Sequence, residues 1–283
     1  MPEVQLRGGE VDGLALRYLA EGHGPAVILV HGLGGFAESW RHNVPPLAAR
    51  TAVHALDLPG FGRSAKPRTA YGLPFFARAL HGFVETLGLG QVSLVGHSLG
   101  GAVCVAYALA YPARVDRLAL LGAIVPGFPF RTSALARLAL WPGLGELLAL
   151  CGCAPVYRAA LARCFHRAAP AEVDFLVREH YAERTTGAAK AAWLATVRGL
   201  QRELDEHRED YRRALATLEL PVLLVHGLQD RAVPPRHCAA AADGLRRAAV
   251  RWVDECGHFP QIEHASSVNG WLAEFLAGRP AAR

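Results

Sequence analysis

The stretch Ser93–Ala102, SLVGHSLGGA, sets one serine between glycines two before and two after it. Glycines at those positions remove the Cβ atoms that would collide if a strand turned sharply into a helix. Apolar residues precede the serine, and an alanine-rich run of helical character follows it. A serine in such a turn is exposed, and the first free N–H groups of the new helix point at whatever it meets. The pattern is the strand–elbow–helix arrangement of a serine nucleophile, G-x-S-x-G, with Ser98 at its centre.

A serine hydroxyl is a weak nucleophile unless a base takes its proton and a third group orients the base. In a strand–elbow–helix architecture the acid and then the histidine follow the serine in chain order. Asp230, in LQDRAVP, lies just past one apolar run, and His258, in ECGHFPQIEH, just past the last. Asp254 and Glu255 are rival acids, but they stand so near His258 in sequence that approach to the far side of its ring is awkward. His31, His97, His226 and His264 are rival bases. His31 and His226 close strands and suit loop-holding hydrogen bonds, His97 is expected to point away from the site, and His264 is expected to start the last helix. Attack on a carbonyl also creates an oxyanion that needs preorganised donors. The N–H of Leu99 is one candidate. The N–H of Leu33, in the bare loop HGLGG, is the other.

These residues require elements to hold them. Short apolar runs ending in turn residues read as buried strands: Ala26–Gly32, Ala52–Gly60, Val92–Ser98, Val115–Ala123, Pro221–Gly227 and Ala249–Glu255. Helical stretches between them are Phe75–Leu87, Leu99–Tyr111, Pro235–Arg247 and Ser266–Leu276. Alternating strands and helices imply a mostly parallel sheet covered on both faces. Val4–Arg7 and Leu14–Leu19 read as an antiparallel hairpin at one edge. From Val125 to Arg213 no strand is legible. The segment is rich in Ala, Leu and Arg at helical spacing and reads as a helical cap (125–213) inserted into a core of 1–124 and 214–283.

Composition narrows the setting. The 283 residues are 52% apolar and 19% charged, with a formal charge of +5, enough for a large core and no polyelectrolyte. The most charged stretch, Gln201–Arg213, mixes signs as a solvated helix face does, so nucleic-acid binding is not expected. The six cysteines form no C-x-x-C pair, and the first ten residues lack a signal-peptide pattern; reduced thiols and a cytoplasmic setting are expected. No apolar run reaches membrane-spanning length.

With HGLGG, DLPGFGRS (Asp57–Ser64), GHSLGG, DRAVP and GHFPQIEH in this order, the chain resembles the α/β-hydrolase superfamily over essentially its whole length. The resemblance implies an α/β-hydrolase fold, a Ser98–Asp230–His258 triad and a cap after the strand that follows the nucleophile helix. It gives Asp57–Ser64 a structural role. Haloalkane dehalogenases and soluble epoxide hydrolases are similar but carry an aspartate where this chain has Ser98. Meta-cleavage-product C–C hydrolases have the serine but usually an asparagine in place of His97. Cofactor-free haloperoxidases and enol-lactonases are also close.

Phe36, Trp40, Phe128, Trp141 and Phe259, with Val125 and Phe130 beside them, are candidate walls of an apolar substrate pocket. Arg131, Arg137 and Arg158 are candidate carboxylate anchors. The expectation is a serine hydrolase of carboxylic esters of apolar acyl groups, with a small-molecule substrate and no metal or cofactor. A C–C or lactone hydrolase and a ligand receptor on the same scaffold are the alternatives.

Overall fold

The computed structural model describes residues 2–130, 137–150, 153–167 and 169–278. Eight strands form one sheet: β1 (Glu3–Gln5), β2 (Ala15–Glu21), β3 (Ala26–Val30), β4 (Ala52–Leu56), β5 (Val92–His97), β6 (Val115–Leu121), β7 (Val222–Gly227) and β8 (Ala248–Val253). Their order is β1-β2-β4-β3-β5-β6-β7-β8. β2 pairs antiparallel with both β1 and β4, and every pairing from β4 to β8 is parallel. The chain crosses from the β4 side to the β6 side of β3 and β5, a topological switch of the kind where open α/β sheets bind ligands.

The alternation of side chains along each strand divides the core in two. From β3, Ile28 and Val30 face one side, where α2 (Leu73–Thr86), α3 (Leu99–Ala110) and α9 (Pro235–Gly244) cover the sheet. Val27 and Leu29 face the other, against α1 (Val44–Ala48) and α11 (Ala265–Leu276). Burial on both faces explains why β5 and β7 read as near-continuous apolar runs.

Between β6 and β7 lie α4 (Leu144–Leu150), α5 (Ala154–Ala162), α6 (Pro170–Arg184), α7 (Gly187–Glu206) and α8 (Arg208–Leu215). Among the described residues of this insertion none is strand. Its two ends merge with the main core: Val125 and Phe128 are buried there at the start and Leu215 at the close. Thr186 caps α7 by accepting the Ala189 N–H, supplying one of the bonds that a helix start otherwise lacks. No helix among the described residues is long and apolar enough to cross a membrane.

Candidate active site

Ser98 sits between β5 and α3 with φ 53° and ψ −118°. A non-glycine residue held there stores strain of about 1–3 kcal/mol. The surroundings overdetermine it. Its N–H donates to the Leu121 carbonyl (3.2 Å), and its own carbonyl accepts from Gly101 (3.0 Å) and Ile124 (3.1 Å). The glycines of the elbow are forced: a Cβ on Gly96 would lie 2.7 Å from Gly101 Cα, and one on Gly100 would run into the Val30 carbonyl. Gly32, across the cleft, approaches Ser98 so closely that its Cβ would lie 2.9 Å from the Ser98 Cβ.

His258 Nδ1 donates to Asp230 Oδ2 at 2.8 Å, and both side chains are buried. The other carboxylate oxygen, Oδ1, accepts the N–H groups of Ala232 (2.8 Å) and Val233 (2.9 Å). Burial raises the cost of charge on Asp230, but His258, His226 and the Val233 N–H together outweigh it and hold the carboxyl below its ordinary pKa. With Nδ1 committed to Asp230, Nε2 of His258 is left for the cavity that Ser98 also lines. Gly122 makes room for the pair: a Cβ there would lie 2.9 Å from the His258 carbonyl oxygen.

The rival groups have other partners. Asp254 is bound by Gln229 Nε2 (2.9 Å) and by the Glu255 N–H (2.8 Å). His31 accepts the Leu58 N–H on Nε2 (2.9 Å) and donates from Nδ1 to Gly32 O (2.8 Å). His226 stays beside the acid: it donates to Val233 O (2.8 Å) with the same Nε2 3.4 Å from Asp230 Oδ2, and His264 stands just before α11. His97 departs from expectation. Instead of turning away, its Nε2 donates to the His258 carbonyl at 2.8 Å, and its ring lies 4.7 Å from the His258 ring. Burial, reinforced by His258, lowers its pKa to about 3, so it stays neutral. Asp57 buttresses the HGLGG loop by accepting the Ala37 N–H (2.6 Å), and it is paired with Arg17 (3.2 Å).

A cavity of about 280 Å³ opens over Ser98. Leu33 and Leu99 line it, and among the described residues the N–H of neither donates to a protein acceptor. Phe36 and Phe259 line it as expected from the sequence, as does Phe130. Three other expected wall residues do not. Trp40 ends a short 3-10 turn that dives under the sheet, where it is fully buried with Val44 and Leu47. Phe128 packs in the main core against Gly244 of α9, whose missing Cβ leaves the slot for the ring. Trp141 is 69% exposed on the outside of the insertion, in the turn before α4. In their place the insertion contributes Tyr157 and Leu161 from α5, Leu176 from α6 and Val197 and Leu200 from α7. Cys164 also reaches the cavity, but burial pushes its thiol up to about 11, which leaves it a poor nucleophile.

Arg131 lies outside the described residues, as does Cys151. Arg137 is exposed, and Arg158 is exposed and paired with Asp174. Arg184 was not singled out by the sequence, yet its guanidinium lies against the HGLGG loop: a Cβ on Gly34 would meet Nη1 at 2.5 Å. It stacks over Tyr157 at 4.3 Å, and among the described residues no carboxylate pairs with it. No group of three or more His, Cys, Asp or Glu side chains among the described residues is arranged to hold a metal.

Comparison with known proteins bears on the family and the fold. Residues 25–152 match the family described as alpha/beta hydrolase fold. The 2-hydroxy-6-oxo-6-(2'-aminophenyl)hexa-2,4-dienoic acid hydrolase of Metapseudomonas resinovorans is 30% identical, over 94% of this chain and 89% of that protein. A meta-cleavage product hydrolase of Pseudomonas fluorescens IP01 superposes with a TM-score of 0.81 at 24% identity, covering 98% of each chain. An esterase of Exiguobacterium antarcticum superposes with a TM-score of 0.82 at 19% identity, over 97% of this chain and 98% of that one. At such identities the two superpositions speak for the fold alone. The elbow strained around Ser98, the sheet order and the relative matched along nearly its whole length lead to one assignment: the chain belongs to the α/β hydrolase family and is a hydrolase.

Proposed function

We propose that the protein is a serine hydrolase that cleaves carboxylic esters of apolar acyl groups. The observation that carries this reading is the convergence on one apolar-walled cavity of Ser98, the Asp230–His258 pair and the unengaged N–H groups of Leu33 and Leu99. In the first half-reaction Ser98 Oγ bonds to the ester carbonyl carbon while its proton passes to His258 Nε2. Asp230 holds the ring in the tautomer that leaves Nε2 free and stabilises the imidazolium that forms. The Leu33 and Leu99 N–H groups take the oxyanion. Collapse of the tetrahedral intermediate expels the alcohol, which takes the proton from His258. A water molecule then gives a proton to His258 and attacks the acyl carbon; the Ser98 Oγ–acyl bond breaks, Oγ takes that proton back from His258, and the acid leaves. No step calls for a metal or cofactor.

The cavity walls support an apolar acyl group, since Phe36, Phe130, Leu161, Leu176 and Val197 offer no charge. The test is a series of chromogenic esters of rising acyl length, with a burst of chromophore equal to the enzyme concentration as the sign of an acyl-enzyme. Absence of turnover on every member refutes the reading.

One observation favours a second reading. Arg184, which has no carboxylate pair among the described residues, lies against Gly34, a residue of the cavity wall, although Arg184 itself lines a separate small hollow with Gly60, Lys66 and Glu183; a substrate carboxylate reaching past Gly34 would gain a charge-assisted pair there. A C–C hydrolase acting on a dienoic acid would use it, and the Metapseudomonas resinovorans relative is named as a hydrolase of a dienoic acid. Under that reading Arg184→Gln raises KM for a ring-cleavage dienoic acid and leaves neutral esters unaffected.

A further inference from the structure

The main chain of His258 is gripped from two sides. Its carbonyl accepts from His97 Nε2, on the residue next to Ser98 (2.8 Å). Its N–H donates to the Cys164 carbonyl of the insertion at 2.7 Å. The neighbouring Gly257 lies directly on the same turn of the insertion: a Cβ there would sit 2.6 Å from His166 N and 2.8 Å from the Phe165 carbonyl carbon. The Phe165 ring stacks on Phe259 with centroids 4.8 Å apart. One side chain joins both parties. Glu263, at the end of α10 (Pro260–Glu263), accepts the His166 N–H on Oε2 at 2.7 Å. On Oε1 it accepts the N–H groups of Gly257 (3.0 Å) and Phe259 (3.2 Å), the residues on either side of His258.

We propose that Glu263 is a positioning residue: it staples the 164–166 turn of the insertion to the His258 loop, so that His258 is aligned with Ser98 only while that turn is docked. The proposal rests on the reading of His258 as the general base. A carboxylate suits the task because it is acceptor-only on both oxygens and three N–H groups need acceptors there. Bonds from a charged acceptor are also roughly twice as strong as neutral ones. The staple makes the insertion part of the machinery that places the base, beyond its part as a pocket wall.

The chemistry of the staple supplies its own probe. In Glu263→Gln the amide oxygen can keep the Gly257 and Phe259 N–H groups, but the amide NH₂ then meets the His166 N–H donor to donor. The variant therefore releases the insertion turn and leaves the loop capped. Gly257→Ala reaches the same state by another route, since its Cβ occupies the docking space while Glu263 stays intact. Misplacement of a catalytic group by ~1 Å costs about 100-fold. Both variants are expected to lose kcat on that order, with KM within about twofold, on an acetyl ester too small to reach the roof as much as on a medium-chain ester. The proton NMR signal of the His258 Nδ1–H bound to Asp230, assigned by its loss in His258→Gln, is expected to shift or broaden in both. Wild-type kcat on both esters with an unchanged Nδ1–H signal, whatever the melting temperature, overturns the proposal. So does a loss confined to the longer ester and expressed in KM, which marks a pocket wall. If the wild-type protein turns over no ester, the ester reading fails by itself, and the Nδ1–H signal of the variants still decides whether Glu263 positions His258.

Discussion

Replacing Asp230 by asparagine isolates one bond of the site. In Asp230→Asn the new amide oxygen can retain the two N–H donors, Ala232 and Val233, that now bind Oδ1 at 2.8 and 2.9 Å. The amide nitrogen then occupies the place of Oδ2, 2.8 Å from His258 Nδ1. Two donors cannot face each other there, so the imidazole moves its proton to Nε2 and offers Nδ1 as acceptor. The hydrogen bond survives and the fold survives with it. What is lost is the basic nitrogen on the cavity side, together with the negative charge that would stabilise the imidazolium. By analogy with the serine-protease triad the loss in kcat is about 10⁴-fold, or about 5.4 kcal/mol of transition-state stabilisation at about 1.36 kcal/mol per decade. The assay is hydrolysis of a chromogenic ester at saturating substrate, with circular dichroism to confirm that the variant is folded. A folded Asp230→Asn protein within tenfold of wild-type kcat would refute the role given to Asp230. If Asp254→Asn showed the large loss instead, the orienting acid would have been misassigned.

Ser98→Ala is expected to lower ester turnover by about a million-fold in a folded protein, and a fluorophosphonate probe is expected to label wild type at Ser98 alone; labelling that persists in Ser98→Ala contradicts the nucleophile. Trp141→Ala is expected to leave the acyl-length profile of kcat/KM unchanged, because Trp141 is 69% exposed and outside the cavity. Leu161→Ala, which enlarges the cavity, is expected to move the optimum to longer acyl chains, each added buried methylene being worth up to ~0.8 kcal/mol; the reverse outcome of this pair places the roof wrongly. Stability is expected to fall on the acid side. Burial lowers the pKa values of His31, His97, His226 and His237 below 6.5, so the unfolded chain binds more protons than the folded one once pH drops below that value. Each then costs up to about 1.4 kcal/mol per pH unit until its folded pKa is reached. Asp230, whose folded pKa is depressed, adds a loss at lower pH, between its unfolded and folded values. Melting temperatures that stay flat from pH 7 to pH 5 contradict this account.

The places of Ser98, Asp230 and His258 in the fold were legible because local backbone demands expose them. An elbow at φ 53° needs glycines at fixed offsets, and Gly96, Gly100 and Gly101 stand at those offsets. Asp230 and His258 follow apolar runs that could only be buried strands, so their places at strand ends could be read from chain order alone. The edge hairpin was readable from the same periodicity, with β1 and β2 displaced from the expected bounds by one or two residues, whereas the antiparallel pairing of β2 with β4 appears only in the tertiary structure.

The pocket was not legible, and the reason is physical. An aromatic residue near a loop end can face the cavity, the core or solvent with equal local plausibility, and only its neighbours in space decide. Trp40 sinks beneath the sheet because a turn points it at Val44 and Leu47, Phe128 takes the slot left by Gly244, and Trp141 stays in water. The residues that do wall the cavity, Leu161, Leu176 and Leu200, are leucines among many leucines, distinguished by helix rotation over Ser98 and by nothing local in the sequence. The same holds for Arg184 and Glu263. A charged residue late in a helix reads as a solvated one until tertiary structure sets three backbone N–H groups around its carboxylate, or lays its guanidinium against a glycine loop with no acid paired to it among the described residues.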